Sequence, residues 1–224
     1  MKTLTTLLCL MLLTAATYAQ GAPFVTRWDL SLAGTFEFGV GTTDTASYTW
    51  QEISPGSASD SGTFIGNTLT VDNAPWNAVV RLSIDTTNFH SVEIDVFNSS
   101  AFLDVESWGD VHWSTMNSAF GGSRKLNVSA TDLPDLSGVT STKSMFRECW
   151  VLNGPLNIND WNMSTVTEMT NMFGGALAFN QPIGNWNTSL VTNMSYLFYG
   201  CYAFNQPIGN WNTGQVRSMK NMFY

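Results

Sequence analysis

The sequence predicts a chain of mixed architecture, in which an antiparallel β-sandwich precedes a solenoid of coils about 25 residues long. Apolar residues alternate with polar ones between turn-rich stretches in the first half, and nearly identical segments recur in the second half. Charge is also uneven, because 16 of the 17 acidic residues lie before Trp161. We therefore expect a signal peptide at 1–19, the β-sandwich at 20–100 and the repeats at 101–224.

Residues 1–19 have the anatomy of a secretory signal peptide. Lys2 precedes an apolar run from Leu4 to Ala16, and small residues lead to a predicted cleavage site after Ala19. The run is too short to span a bilayer comfortably, and no second apolar stretch follows it. We therefore expect a secreted or cell-surface protein with no membrane insertion after signal removal.

Alternation with a period of two residues marks strands of the predicted sandwich. The apolar faces of these strands are Phe36/Phe38/Val40, Val80/Leu82/Ile84 and Val92/Ile94/Val96. Turn-forming clusters around Pro55 and Pro75 separate the strands, as expected of an antiparallel sandwich. Glu93 and Asp95 share a polar strand face, which is open to two interpretations: a catalytic or calcium-binding pair, or a solvated outer face. The alternation favours the solvated face.

The second half of the chain repeats itself. Segments that begin with Trp-Asn and end with Phe recur every 25 residues, at Trp161–Phe173, Trp186–Phe198 and Trp211–Phe223. Weaker copies end at Phe146 and Phe120. Such self-similarity predicts about five stacked coils, the last of them incomplete.

Each repeated position of a stacked coil becomes a column of like side chains. We expect columns of Val, Met and Phe, and one of Leu156, Ile183 and Ile208, to form the core. Short parallel strands around VTxM and FNQPI, and a helical turn or short helix over MSYLFYGC, complete each predicted coil. Cys149 and Cys201 lie two coils apart, about 10 Å, which is too far for a disulfide, so we expect two buried free thiols.

A column of tryptophans supplies the candidate ligand contacts. These are Trp161, Trp186 and Trp211, with Asn187 and Asn212 beside them. An exposed row of indoles would stack on sugar rings or anchor a protein partner. The alternative is a core ladder whose neighbouring asparagines satisfy turn backbones.

The composition leaves little for catalysis. The formal net charge of −8 argues against a nucleic-acid partner, because no basic stripe is present to contact phosphates. His90 and His112 have no Gly-flanked Ser or Cys nucleophile beside them in the sequence, and Glu168 is the single acidic residue from Trp161 onward. We therefore predict no enzyme activity, no cofactor and no metal site.

The motif VTxMxxMFxGAxxFNQPIGNWNT, preceded by the degenerate segment ESWGDVHWSTMNSAF, resembles the BspA-like leucine-rich-repeat surface proteins and the 25-residue repeats of mycoplasma lipoproteins. The resemblance covers about Val105–Tyr224. It implies a leucine-rich-repeat-like solenoid on a bacterial cell surface, without catalytic residues. It also implies adhesion to extracellular matrix proteins, or to host or bacterial cell-surface proteins or glycans. The first domain is similar to immunoglobulin-like or PKD-like modules in general pattern only.

Two functions fit these observations. The chain is either an adhesion protein or a structural spacer (a stalk) that presents another domain. A patch of non-core residues that differ between copies would favour adhesion, whereas the last two links between copies are almost identical. Because Tyr224 lies partway around a coil, we also expect the chain to be a fragment of a longer protein.

Overall fold

The computed structural model describes residues 21–31, 35–94 and 99–224. The predicted signal peptide at 1–19 lies outside these residues, as do Asp95 and Val96. Within the described ranges, regular secondary structure consists of β-strands and a single 3₁₀ turn over Ile158–Asp160.

Two sheets dominate the first half of the chain. Their strands are, in chain order, β1 (Phe24–Asp29), β2 (Phe36–Thr42), β3 (Ala46–Ser54), β4 (Ser59–Phe64), β5 (Thr68–Val71), β6 (Val79–Ile84), β7 (Phe89–Glu93), β8 (Phe102–Ser107) and β9 (Asn127–Val128). A six-stranded sheet has the order β4-β3-β6-β1-β8-β9, and a three-stranded sheet has the order β5-β2-β7. The pairs are antiparallel except for the short parallel pair of β8 with β9.

An aromatic core joins the two sheets. Alternate residues of a strand point to one face, so Trp28 of β1 and Phe36 and Phe38 of β2 are all buried. The Trp28 ring centroid lies 4.7 Å from that of Phe36 and 5.0 Å from that of Phe38. The sheets therefore pack face to face across these rings.

The apolar core continues without a break into the repeats. Phe102 of β8 is buried against Trp28 at a centroid distance of 4.7 Å and stacks on Phe120 at 5.8 Å. Phe120 in turn stacks on Phe146 at 5.6 Å. The buried apolar residues of the sheets and of the repeats thus belong to one cluster.

Residues 114–224 form successive turns that stack on one another. The repeated phenylalanines build a column, in which Phe173 lies 5.8 Å from Phe146 and 5.9 Å from Phe198. Backbone hydrogen bonds follow the same spacing, since the N–H of Phe173 donates to the carbonyl of Leu197. Strand pairing between neighbouring copies is reduced to isolated parallel bridges, at Ser141–Glu168, Glu168–Asn193 and Asn193–Ser218.

The predicted fold class is wrong, because the described residues form no leucine-rich-repeat solenoid with helical turns. The segment MSYLFYGC is a run of turns, and FNQPI forms no strand. Each copy carries a residue with positive φ two positions before the repeated Phe, and the first four copies carry another two positions after it. The first set is Ser118, Ser144, Asn171, Tyr196 and Asn221, and the second is Gly122, Glu148, Gly175 and Gly200. A left-handed residue interrupts both a right-handed helix and an extended strand, so each copy winds as turns.

The predicted core position of Leu156 is also wrong. Leu156 is 85% exposed, and Ile158 is buried in its place. The Ile158 carbonyl accepts a hydrogen bond from the indole N–H of Trp186, as the Ile183 carbonyl does from Trp211. Ile158 and Ile183 are therefore equivalent, and the earlier copy has extra residues after its proline.

Candidate functional site

The tryptophan column lies in the core of the repeats. Trp161, Trp186 and Trp211 are all buried, and the rings of Trp186 and Trp211 stack at a centroid distance of 6.2 Å. The indole N–H groups of Trp186 and Trp211 donate to backbone carbonyls at 2.7 and 3.0 Å. This placement matches the core-ladder alternative, because the ring faces contact protein rather than solvent.

The two asparagines beside that column shape turns. Asn187 and Asn212 are exposed, and each side-chain oxygen accepts the backbone N–H two residues further on, from Ser189 at 3.1 Å and Gly214 at 3.0 Å. These contacts are the Asx turns that asparagine favours. Part of the hydrogen-bonding capacity of both amides is thus used locally.

The histidines lie in separate pairs on the surface. His90 Nδ1 is 2.9 Å from the Ser114 hydroxyl, whereas His112 Nδ1 contacts the carboxylate of Asp135. Hydrogen bonds from the hydroxyl and N–H of Ser137, together with His112, hold the pKa of Asp135 below its usual value. The described residues contain no cluster of three His, Cys, Asp or Glu side chains that would hold a metal ion.

Both cysteines are buried as free thiols. Cys149 Sγ donates to the Phe120 carbonyl at 3.2 Å, and Cys201 Sγ donates to the Phe173 carbonyl at 2.7 Å. Burial raises the pKa of Cys201 to about 12, and it raises the pKa of Cys149 in the same direction. Because the thiolate is the nucleophilic form, neither cysteine is reactive at neutral pH.

The repeat stack carries an open groove of about 590 Å³, a volume typical of ligand sites. We call it the tyrosine groove. Its lining residues are Arg147, Glu148, Asn171, Gly174, Gly175, Tyr196, Tyr199, Asn221 and Tyr224.

A glycine creates the gap that becomes the groove. The position directly after the repeated Phe is occupied, in successive copies, by Gly121, Arg147, Gly174, Tyr199 and Tyr224. Gly174 carries no side chain, so a space of about two strand spacings, roughly 10 Å, separates the Arg147 and Tyr199 positions. A Cβ added at Gly174 would collide with the side-chain oxygen of Asn171, which lies in the floor of the same space.

Tyrosine rings form one wall of the groove. Tyr199 stacks on Tyr224 at a centroid distance of 5.5 Å and an interplanar angle of 13°, and it meets Tyr196 edge-on at 5.8 Å. Tyr199 is 40% exposed and Tyr224 is 77% exposed. Their hydroxyls make no hydrogen bond to any described residue, so they are available to a ligand.

An ion pair forms the other wall. The guanidinium of Arg147 lies 2.6 Å from the Glu148 carboxylate, which Arg124 also approaches at 3.9 Å. Between the walls, the side-chain amides of Asn171 and Asn221 make no hydrogen bond to any part of the chain that the structure describes. The groove therefore combines exposed aromatic faces with unused donors and acceptors.

Two groove residues occupy backbone conformations that their side chains disfavour. Glu148 has a φ of 57° at a position where the other copies place glycine, at Gly122, Gly175 and Gly200. Tyr196 has a φ of 58° at a position where other copies place Ser or Asn. Left-handed conformations at residues other than glycine cost roughly 1–3 kcal/mol each and cluster at functional sites.

A separate surface of the repeat stack is uniform. The side-chain oxygen of Asn153 accepts the backbone N–H of Asn180 at 2.9 Å, and that of Asn180 accepts the N–H of Asn205 at 2.9 Å. The amides of Gln181 and Gln206 donate back to the same asparagines. We call Asn153, Asn180 and Asn205 the asparagine ladder, in which each copy satisfies the next.

None of the groove residues is among the ligand contacts predicted from the sequence. The sequence does carry one signal for the groove: the columns that line it change residue type between copies, whereas the Phe column does not. The positive φ values at Glu148 and Tyr196 have no signature in the sequence pattern.

Residues 114–224 match the model of a family described as Mycoplasma protein of unknown function, DUF285. The match covers just under half of the 224-residue chain and contains every residue of the tyrosine groove. It does not confirm leucine-rich repeats. The chain matches neither a curated protein nor a solved structure. Among the described residues, no helix is long and apolar enough to cross a membrane.

Proposed function

We propose that the protein is a non-catalytic, surface-displayed binding protein that holds its ligand in the tyrosine groove. The signal-like segment at 1–19, the resemblance of the repeats to bacterial surface proteins and the mycoplasma family match support display outside the cell. The partners are extracellular matrix proteins, or host or bacterial cell-surface proteins or glycans.

The backbone strain at the groove carries this proposal. Glu148 and Tyr196 hold left-handed conformations where other copies use glycine, serine or asparagine. A structural spacer would need only the stacking of copies, which those simpler residues already support. Contact of the two side chains with a ligand would explain why a strain of roughly 1 kcal/mol or more is retained at each residue.

The distribution of varied positions supports the same proposal. The columns that change residue type between copies meet at one concave place, which holds Arg147, Asn171 and Tyr199 as well as the strained residues. Binding sites are concave and present a few convergent polar groups among aromatic side chains. The alternative, a spacer, predicts no such convergence.

The test compares binding with stability in two variants, Glu148→Gly and Tyr196→Asn. Purified chain is presented to immobilised matrix proteins, mucin and whole bacterial cells, and saturable binding is read by biolayer interferometry. We expect both variants to bind at least about tenfold more weakly than the native chain. Glu148→Gly should leave the free energy of unfolding unchanged or raise it by up to about 1 kcal/mol, because glycine relieves the strain.

Asn205→Ala is the matched control, since Asn205 lies on the asparagine ladder and its side chain accepts no hydrogen bond from any described residue. Its binding should equal that of the native chain. If the folded native chain binds nothing on the panel, the spacer is the better account. If both groove variants bind as well as the native chain, the ligand site lies elsewhere.

A further inference from the structure

We propose that the ligand of the tyrosine groove is a neutral glycan, recognised by stacking of a sugar ring on the tyrosine wall and by hydrogen bonds from its hydroxyls. This inference rests on the proposed function, because it names the ligand class for the same groove. Aromatic rings, unused amides and a paired charge occur there together, and each point narrows the chemistry of the ligand.

The tyrosine wall is suited to a flat, weakly polar surface. The rings of Tyr199 and Tyr224 are stacked, with an interplanar angle of 13°, so Tyr224 covers one face of Tyr199 and the other face lies on the side of the gap at Gly174. A sugar ring presents a row of C–H groups on one side, which contact the electron-rich face of an aromatic ring. The edges of the same sugar ring carry hydroxyls, which point away from the wall.

The remaining groups of the groove match those hydroxyls. A hydroxyl donates and accepts hydrogen bonds, so it needs partners of both kinds. The side-chain amides of Asn171 and Asn221 offer both, and they make no hydrogen bond to any described residue. Arg147 adds donors and Glu148 adds acceptors on the facing wall.

The charge of the lining favours a neutral ligand. Its guanidinium and its carboxylate, from Arg147 and Glu148, already pair at 2.6 Å. An anionic ligand would have to compete with Glu148 for Arg147, and a cationic ligand would have to compete with Arg147 and Arg124 for Glu148. The ion pair instead presents its remaining N–H groups and oxygen lone pairs to polar, uncharged groups.

The backbone of the groove is closed to a peptide. The N–H groups of Glu148, Gly175 and Gly200 donate to carbonyls of the next copy, at 2.7, 2.7 and 2.9 Å. Addition of an extended peptide strand requires unpaired backbone groups at an edge. Side chains therefore supply the recognition, and the space of roughly 10 Å between Arg147 and Tyr199 suits a ligand on the order of one or two sugar rings.

The experiment screens the full chain on an array of neutral, sialylated and sulfated oligosaccharides and then titrates the strongest neutral glycan by calorimetry. We expect saturable binding of neutral glycans that survives 0.5 M NaCl, with about tenfold loss in Tyr199→Ala and little loss in Tyr199→Phe. Gly174→Tyr should abolish binding, because it fills the gap with the side chain that the next two copies carry. Circular dichroism confirms that each variant is folded.

Tyr202→Ala is the matched control, because Tyr202 is 86% exposed and lies outside the groove lining. Equal losses in Tyr202→Ala and Tyr199→Ala would show unspecific contact with aromatic rings and overturn the inference. Binding confined to sialylated or sulfated glycans, and lost at high salt, would overturn the neutral ligand.

A competition experiment separates this inference from the proposed function. Excess free glycan should displace the native chain from a glycosylated matrix protein, and enzymatic removal of the glycans should abolish capture. Suppose that capture survives deglycosylation but is still lost in Glu148→Gly. The groove is then a binding site for protein, so the proposed function stands and the glycan is refuted.

Discussion

The asparagine ladder and the tyrosine groove are two surfaces of the same repeat stack with opposite chemistry. On the ladder, each asparagine side chain satisfies the backbone of the next copy, since Asn153 accepts from the N–H of Asn180 and Asn180 accepts from the N–H of Asn205. In the groove, the side chains differ between copies, and their amides and hydroxyls are left without partners among the described residues. Repetition thus stabilises the stack, and departure from it leaves polar groups available to the ligand that we propose.

The same contrast holds for the backbone. Most left-handed positions next to the groove are filled by residues that tolerate them, such as Gly175, Gly200 and Asn171. Glu148 and Tyr196 are the departures, and their conformations oppose folding by roughly 1 kcal/mol or more each. Uniform columns therefore stabilise the stack, and this stability offsets the strain of the two groove residues.

The largest effect is expected in the most uniform column, from Phe173→Ala. Phe173 is buried and packs on Phe146, Phe198 and Phe179, the last at a ring-centroid distance of 4.1 Å. Truncation of a buried Phe removes these contacts and leaves a cavity, so the free energy of unfolding should fall by about 3–5 kcal/mol. Urea denaturation measures the change.

Phe223→Ala is the control in the same column. Phe223 stacks on Phe198 at 5.5 Å but is 63% exposed, so its truncation should cost less than about 1 kcal/mol. Equal losses in the two variants would mean that burial does not set the stability of the column.

A smaller loss is expected on the ladder, from Asn180→Ala. The Asn180 side-chain oxygen accepts hydrogen bonds from the N–H of Asn205 at 2.9 Å and from the amide of Gln206 at 3.0 Å. Alanine removes that acceptor, and because water reaches both donors we expect a loss of about 0.5–1.5 kcal/mol in urea denaturation. Asn205→Ala should change stability by less than about 0.5 kcal/mol, because its side chain accepts from no described residue. A comparable loss in Asn205→Ala would refute the idea that each copy satisfies the next.

Local patterns in the sequence reveal part of this fold. The alternation at Phe36–Val40 lies in β2, and the repeated phenylalanines from Phe120 to Phe198 are buried, because both depend on one-sided contact with a core. The helical turn over MSYLFYGC does not form, since the left-handed conformations of Tyr196 and Gly200 break it. Only one of these two residues is a glycine, so the sequence pattern does not predict the left-handed conformation of Tyr196.

The groove is harder to predict than the core. It exists because Gly174 sits between the Arg147 and Tyr199 positions and because the adjacent columns place Asn171 and Tyr196 beside the gap. Those columns become neighbours only through the turns, where the sequence pattern predicts strands and a helix instead. The tryptophan column is a candidate ligand site by its size and aromatic character, yet its rings are buried in the core.

The smallest expected effect concerns a buried column in which the residue does vary, three positions after the repeated Phe. This column holds Ser123, Cys149, Ala176 and Cys201. Ala176 occupies the equivalent position one copy earlier. We therefore expect Cys201→Ala to leave the free energy of unfolding nearly unchanged at pH 7. The buried thiol nevertheless makes stability depend on pH.

The folded-state pKa of Cys201, about 12, lies above the unfolded value of about 8.5, so the folded chain binds this proton more tightly. The contribution of the thiol to stability is complete below pH 8.5 and is lost as the pH rises toward 12. Between pH 8 and pH 9.5 the free energy of unfolding should fall by about 1 kcal/mol through Cys201, and Cys201→Ala should remove that part of the decline. Urea denaturation under reducing conditions at both pH values measures it. Identical declines in the native chain and in Cys201→Ala would contradict this prediction. They would show that the residue type at this buried position does not affect stability at high pH either, which would sharpen the contrast with the varied positions of the groove.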